Sequence, residues 1–393
     1  MALYEPYSDQ IKDDPYPVYA RMRRERPIYY VEEYDAWFLS RFDDIWKVGP
    51  DGKHFTAMEG TTPNHLLTKD TPLNLSFASM DPPQHSKYRA QVNEHFKPAN
   101  VAKMEAHMAE IVKGLVDGFI DQGRCDLVQD FAAQVSVRGA LSVAGLPLEL
   151  ADEASGWVNG IFLREDDHRG VTETGLSAMK DMFFTLLDHV KAARKNPEKA
   201  TGVLRTLMET DVDGDKMDDF RIASLCSVIL IGGTDTLPKA LAATLYRLWQ
   251  HPDQRRELAN DLSLVQDAFL EGLRLDTPTQ HLGRTVTKEI RVGDETFQPG
   301  QKVMLMWASA NRDENEFEAP DAYRMTRRPP RMLAFGHGIH MCLGKHVALL
   351  EARLALTELM SRIPAYEIDE ANAVRNRTEF VQGWLNLPAT WEV

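Results

Sequence analysis

The chain of 393 residues has little cysteine and no long apolar run. Its three cysteines, Cys125, Cys226 and Cys342, are an odd and sparse set, which argues against a disulfide framework and favours a reducing compartment. No apolar run approaches the roughly 20 residues that a membrane-spanning helix needs. The N-terminal residues also lack the charged segment and apolar stretch of a secretory signal. These absences predict a cytoplasmic protein that does not enter a membrane.

Basic residues and sequence features that mark domain boundaries are scarce as well. The 59 acidic residues outnumber the 45 basic residues, and the resulting net charge of −14 argues against nucleic acid as a general partner. No internal repeat, low-complexity tract or linker rich in proline, glycine and serine interrupts the chain. A chain of this length can bury one large core or form two to three ordinary domains, and the sequence shows no clean domain boundary within residues 1–393.

Hydrophobic periodicity predicts a mainly α fold with a smaller β portion. The clearest helical patterns cover residues 101–121, 128–144, 175–195, 218–250 and 343–362. Strand-like alternation occurs at 28–40 and again at 281–307, so both ends of the chain contribute to the β portion. The segment 218–250 is apolar on most faces, which predicts a buried central helix. Residues 50–80 have poor periodicity, and a loop of this length is usually functional.

Cys342 lies in a glycine-rich loop, residues 335–344, directly before a periodic helix. Gly336 and Gly338 permit a tight loop with backbone dihedrals that other residues avoid. A helix that begins just after Cys342 favours the ionised thiolate, which is a ligand of haem iron. An isolated cysteine is more often a buried structural thiol, so the interpretation depends on the rest of the chain.

The predicted central helix contains an interruption at 232–236, Gly-Gly-Thr-Asp-Thr. Two glycines cost about 2 kcal/mol relative to alanine in a helix interior. Pro238 further removes the N–H group that would bond the carbonyl of Thr234. We expect a groove here, in which the Asp235 carboxylate and the Thr236 hydroxyl can relay protons. The alternative is a packing helix that is merely kinked.

Two charged pairs have helical spacing. Glu271 and Arg274 are separated by three residues, and His85 and Arg89 by four, so each pair lies on one helix face. Such pairs are usually solvent-exposed, and neither would indicate a function by itself.

Together these motifs resemble the cytochrome P450 family of the soluble bacterial type. Phe335, Gly336, Gly338, His340, Cys342 and Gly344 match its haem-binding signature, and residues 232–236 and 271–274 match its Gly-Gly-x-Asp-Thr and Glu-x-x-Arg motifs. The resemblance covers the chain from about residue 13 to the end; Pro238 departs from the family pattern. It implies a single haem domain with haem b between the kinked central helix and the cysteine-loop helix.

The resemblance also implies the site residues. The expected haem contacts are His85, Arg89, Gly232, Arg284, Phe335, Gly336, His340, Cys342 and Gly344. Among them, Cys342 is the expected iron ligand, and the two histidines and two arginines are expected to contact the propionates. Asp235 and Thr236 are the expected catalytic pair. The expected structural charge network consists of Glu271, Arg274 and Arg327, with Arg328 as the alternative to Arg327.

The implied activity inserts one oxygen atom of O2 into a small hydrophobic substrate. Hydroxylation or O-demethylation of an aromatic molecule is a narrower expectation. The expected pocket residues are Leu75, Phe77, Phe162, Val228, Ile229, Thr279, Leu282, Trp384 and Leu385. Alternative interpretations are a family member that performs coupling or desaturation, and a haem-binding sensor without enzymatic activity.

Electrons have to come from a separate ferredoxin or flavin reductase, because the sequence shows no flavin or iron–sulfur motif. The expected docking residues, on the cysteine side of the haem, are Lys87, Lys97, Arg331, Lys345 and Arg353. Such a basic set would attract an acidic donor. The alternative is an ordinary solvated surface.

Overall fold

The computed structural model describes residues 2–69, 76–165 and 168–393. Its helices are α1 (Asp9–Asp13), α2 (Tyr16–Glu25), α3 (Phe42–Val48), α4 (Gln84–Asn93), α5 (Pro98–Val101), α6 (Glu105–Phe119), α7 (Ala133–Ala144), α8 (Ala151–Phe162), α9 (Glu173–Lys195), α10 (Gly202–Glu209), α11 (Asp219–Thr234), α12 (Thr236–Gln250), α13 (Pro252–Asn260), α14 (Val265–Leu275), α15 (Trp307–Ala310) and α16 (Lys345–Arg362). Its strands are β1 (Ile28–Val31), β2 (Ala36–Leu39), β3 (Phe55–Thr56), β4 (Arg124–Asp126), β5 (Asp211–Val212), β6 (Asp215–Lys216), β7 (Leu282–Val286), β8 (Ile290–Val292), β9 (Glu295–Phe297), β10 (Lys302–Leu305), β11 (Glu367–Ile368), β12 (Val374–Arg375), β13 (Trp384–Asn386) and β14 (Pro388–Thr390).

The predicted fold class is confirmed, since helices dominate and both ends of the chain enter the largest sheet. That sheet has the strand order β1-β2-β10-β7-β3. Strands β1 and β2 form the predicted antiparallel hairpin, and β10 joins β2 in parallel. Helices α3 and α13 are among those that were not predicted. Helix α3 is only seven residues long, and α13 is mostly polar with a single buried leucine, so neither has strong apolar periodicity.

The predicted central helix is present as α11 and α12, which meet at Asp235. The hydrogen bond from the Asp235 amide to the Ile231 carbonyl is long, at 3.4 Å. Pro238 is the third residue of α12, within the first turn of a helix, where a missing N–H group is tolerated. Within the described ranges, Asp219–Gln250 is the one helical stretch long and apolar enough to cross a membrane, yet 61% of its most apolar window is buried inside the protein.

Helix α7 separates the central helix from α16, the helix after the cysteine loop. A Cβ atom at Gly233 of α11 would lie 2.8 Å from the Cβ atom of Ala140, and a Cβ atom at Gly139 would overlap the Glu351 carboxylate of α16. Ser136 donates a hydrogen bond of 2.5 Å to the Gly233 carbonyl. Small residues on α7 therefore hold α11 and α16 close on either side of it.

A buried charge network supports the irregular segment before the cysteine loop. Arg274 donates to both carboxylate oxygens of Glu271 at 2.8 and 2.9 Å, and Arg327 donates to the same carboxylate at 2.9 Å. Arg274 also donates to the carbonyls of Asn311 and Pro320. Arg328, the alternative partner, instead pairs with Asp267 at the surface. The structure thus brings together the three residues that the sequence suggested.

Replacement of Arg274 by alanine should lower the free energy of unfolding by about 3–5 kcal/mol, because it leaves the Glu271 carboxylate buried with only part of its partners. Urea denaturation followed by circular dichroism measures this loss. The matched control is Arg328→Ala, which breaks an exposed arginine–carboxylate pair nearby and should change the midpoint little. Equal losses in the two variants would contradict the supporting role of the network.

Candidate active site

The loop 335–344 has a backbone that requires glycine at two positions. Gly336 and Gly338 have φ angles of 71° and 81°, in the left-handed region. A Cβ atom at Gly338 would also lie 2.7 Å from the Cα atom of Pro50. The Cys342 amide closes the loop by donating to the Phe335 carbonyl at 2.8 Å. These constraints fix Cys342 just before the first residue of α16.

Cys342 differs from the other two cysteines because it is exposed, whereas Cys125 and Cys226 are buried. Although part of Cys342 reaches solvent, protein atoms surround its sulfur, and this burial raises the pKa of the Cys342 thiol. The backbone amides of Gly344 and Lys345 and the charges of Arg89 and Lys345 act in the opposite direction. The amides and positive charges therefore favour the thiolate as predicted, but the burial of the sulfur has the larger effect on the pKa of the thiol in the protein alone. Coordination to a metal cation deprotonates such a thiol.

Four potential partners of an anion converge beside the cysteine loop. His85 of α4 is buried, and its ring lies 4.5 Å from that of His340, centroid to centroid. Burial, together with the nearby charges of Arg284, His85 and Arg89, lowers the pKa of His340 to about 3. Burial likewise lowers the pKa of Arg284 to about 10. Within the described ranges, neither ring nitrogen of His85 has a hydrogen-bond partner. Buried donors without a partner fit carboxylates such as the haem propionates.

Arg89 links this cluster to the cysteine loop. Its guanidinium donates to the Met341 carbonyl at 2.5 Å, and its charge acts on the Cys342 thiol. Three glycines around the same region leave open space. A Cβ atom at Gly232, Gly336 or Gly344 would meet no other atom of the protein within 4 Å. Gly232 is exposed even though it belongs to the central helix. The residues present therefore fit a large flat group that carries carboxylates and a metal.

Asp235 lies at the junction of α11 and α12 and is 5% exposed. One carboxylate oxygen, Oδ1, accepts a short hydrogen bond from the Lys239 ammonium, which also donates to the Asp235 carbonyl at 3.2 Å. Among residues 2–69, 76–165 and 168–393, Oδ2 has no partner. Thr236 follows directly and is half-buried. Sequence analysis missed Lys239, although its spacing of four residues from Asp235 was a usable signal.

The predicted pocket residues divide into two groups. Phe77, Phe162, Val228 and Ile229 belong to one apolar cluster that includes part of α11. Thr279 pairs with Val381, and Leu282 lies in β7. Leu75 lies outside the described residues.

Trp384 and Leu385 lie in β13, outside this apolar cluster. The Trp384 ring packs 4.8 Å from the ring of Tyr246, which lies ten residues beyond Thr236 along α12 and so about 15 Å from the junction. The C-terminal residue that reaches Phe162 is Phe380, with ring centroids 6.2 Å apart. Short irregular segments have no period from which this register could be predicted.

Most of the predicted docking cations are paired. Lys87 contacts Asp213 at 2.5 Å, and Lys97, Arg331 and Arg353 likewise contact carboxylates. Lys345 differs, because its ammonium lies 5.7 Å from the centre of the Phe335 ring and, in the part of the chain that the structure describes, it forms no ion pair. The basic set is therefore largely neutralised, and Lys345 is its unpaired member.

Comparisons with known proteins agree with this geometry. Residues 172–381 match the family model described as Cytochrome P450. The chain is 31% identical over 388 residues to "Putative cytochrome P450 123" of Mycobacterium tuberculosis (strain ATCC 25618 / H37Rv), covering 98% of this chain and 96% of that protein. It is 30% identical over 399 residues to the "Vitamin D(3) 25-hydroxylase" of Pseudonocardia autotrophica, with coverage of 98% and 96%.

A solved structure, CYP109E1 from Bacillus megaterium in complex with testosterone, has the same fold, with a TM-score of 0.88 and 24% identity over 98% of this chain and 100% of that chain. The fold and the thiol site together define a haem-thiolate protein. The chain belongs to the cytochrome P450 family. It is a monooxygenase whose cofactor is haem b.

Replacement of Cys342 by alanine should abolish the red-shifted Soret band of the reduced carbon monoxide adduct, because that band reports thiolate ligation of the iron. Absorption spectroscopy of the haem-loaded protein measures it. The matched control is Cys226→Ala, which removes a buried thiol of the central helix and should leave the band in place. A band at the histidine-ligated position in the unmodified protein would contradict the assignment of Cys342.

Proposed function

We propose that this cytochrome P450 hydroxylates or O-demethylates a hydrophobic substrate, and that Asp235 and Thr236 deliver the protons. The observation that carries the proposal is the buried Oδ2 atom of Asp235, which lacks a partner and lies at the helix junction directly before Thr236. A sensor would need no such acid–alcohol pair. A buried acid with one free oxygen is suited to general acid catalysis.

Bound haem supplies the reductive activation of dioxygen. In the protein, Cys342 would ligate the iron, and Phe335, Gly336 and Gly344 would form the adjoining surface. His85, Arg89, Arg284 and His340 would hold the propionates, because their side chains converge in a partly buried cluster. Gly232 would let the central helix approach the cofactor. Thr236 would hold a proton at its hydroxyl, and Asp235 would replace that proton through Oδ2.

An apolar, partly aromatic wall supports a hydrophobic substrate. Phe77, Phe162, Val228 and Ile229 share one cluster, and Phe380 extends it from the C-terminal segment. Aromatic rings bury large areas and favour flat or polycyclic molecules. One relative is a vitamin D3 hydroxylase, and one structural neighbour binds testosterone. Steroid-like molecules therefore join small aromatic molecules as the candidate substrates.

The electron donor would be a separate ferredoxin or flavin reductase with an acidic docking surface. Lys345 supports this proposal, because it follows the cysteine loop directly and its charge acts on Cys342. Charge complementarity raises the rate of encounter more than the final affinity. The sparse cysteines support the reducing cytoplasm as the compartment in which both proteins work.

Replacement of Thr236 by alanine should divert reducing equivalents from product to hydrogen peroxide, because the proton donor beside the cofactor is lost. The measurement compares the peroxide and the product formed per electron pair consumed. Thr234→Ala is the matched control, since Thr234 lies two residues earlier, at the end of α11, and is outside the proposed pair. If only Thr234→Ala lost coupling, the assignment of Thr236 would be wrong.

Replacement of Phe380 by alanine should weaken substrate binding about 10- to 100-fold, because an aromatic side chain contributes roughly 1.5–3 kcal/mol when buried. The first step is to screen steroids and methoxylated aromatic compounds for the ligand-induced spin-state change. The affinity of the best ligand is then compared in the variant and in a Trp384→Ala control, which alters the distant ring near Tyr246. A larger effect of Trp384→Ala would contradict the pocket assigned here.

A further inference from the structure

The proposed proton relay contains a third charged residue that the family motif does not include. Lys239 lies one turn after Asp235 on α12 and is 6% exposed, and its ammonium contacts both Oδ1 and the main-chain carbonyl of Asp235. Two charges at this depth lose most of their hydration, so each depends on the other as its counter-ion. An acidic residue followed four positions later by lysine is also the favourable order on a helix.

The C-terminal segment confines the Lys239 side chain. Gly383 has a φ angle of 153°, and a Cβ atom at this position would lie 2.5 Å from the Lys239 Cβ atom and 2.7 Å from its Cγ atom. The Gly383 main chain therefore covers the lysine stem. The same segment contains Val381, which pairs with Thr279, and Phe380, whose main-chain carbonyl accepts a hydrogen bond of 2.8 Å from the Gln280 amide. Lys239 cannot turn toward solvent unless this anchored segment moves.

On the basis of the proposed relay, we propose that Lys239 is a positioning residue that holds Oδ1 of Asp235 and leaves Oδ2 as the only oxygen free to exchange protons. A carboxylate with two free oxygens could rotate about its side-chain bonds, and rotation would move Oδ2 away from its position at the helix junction. The ion pair with Lys239 removes that freedom. Lys239 acts through Asp235 and does not itself contact the reacting atoms.

Replacement of Lys239 by methionine should reduce the product formed per electron pair by about tenfold and raise peroxide release correspondingly. This loss is smaller than the factor of roughly 10²–10⁴ that general acid catalysis contributes, because Lys239 acts only through Asp235. Lys239→Arg should retain most of the coupling, because arginine preserves the positive charge. The control Lys302→Met removes another buried lysine, which is paired with Glu59 in the sheet, and should leave coupling unchanged. The reduced carbon monoxide spectrum checks that each variant is folded around its haem.

Thermal unfolding provides a readout that does not depend on turnover. Lys239→Met and Asp235→Asn should each lower the melting temperature by about 5 °C or more. The melting temperature of the double variant should fall by less than the sum of the two single losses, because neither charge is then buried without its partner. Additive losses would overturn the ion pair as the basis of the proposal.

The outcomes separate this inference from the proposed function. If Asp235→Asn and Thr236→Ala retain full coupling, the relay itself is wrong. If they lose coupling while Lys239→Met keeps it, or if Lys302→Met causes the same loss, only the role of Lys239 is overturned. A loss in Lys239→Met that arginine restores supports the inference.

Discussion

The geometry of the site depends on one buried carboxylate, that of Glu271. It accepts hydrogen bonds from the side chains of Arg274 and Arg327 and from the Arg324 amide at 3.0 Å. Arg274 in turn bonds the Asn311 carbonyl, while the Asn311 side chain accepts from the Leu333 amide at 2.8 Å. Leu333 lies two residues before the start of the cysteine loop. A segment without regular secondary structure is thereby fixed by side-chain bonds to its main chain, in place of a helix or strand ladder.

Some of these site residues could be predicted from the sequence because they belong to local motifs, whereas others could not. Glu271 and Arg274, His85 and Arg89, and the loop around Cys342 are local motifs, so helical spacing or a glycine requirement determines their geometry. Arg327 and Arg328 are neighbours in an irregular segment, and spacing cannot distinguish them. In the structure Arg328 has a φ angle of 47°, and its side chain reaches Asp267 instead of Glu271.

The pocket is the least predictable part for the same reason. The C-terminal segment approaches the site through short strands and single bridges, in which a displacement of a few residues changes which side chain faces the cavity. Trp384 packs against Tyr246, whereas Phe380 reaches Phe162. Val228 and Ile229 lie in the same apolar cluster as Phe77 and Phe162, as expected for residues on a long helix that maintains its period.

The interruption of the central helix shows how a weakened element can remain in a well-packed core. Gly232 and Gly233 reduce helical stability, whereas Pro238 lies in the first turn of α12, where a missing N–H group is tolerated. Ser136 of α7 bonds the Gly233 carbonyl, Ala140 fills the space beside the glycine, and Lys239 neutralises Asp235. Contacts from neighbouring residues thus replace the hydrogen bonding that the helix loses. The central helix can therefore contain this break without losing its packing against α7.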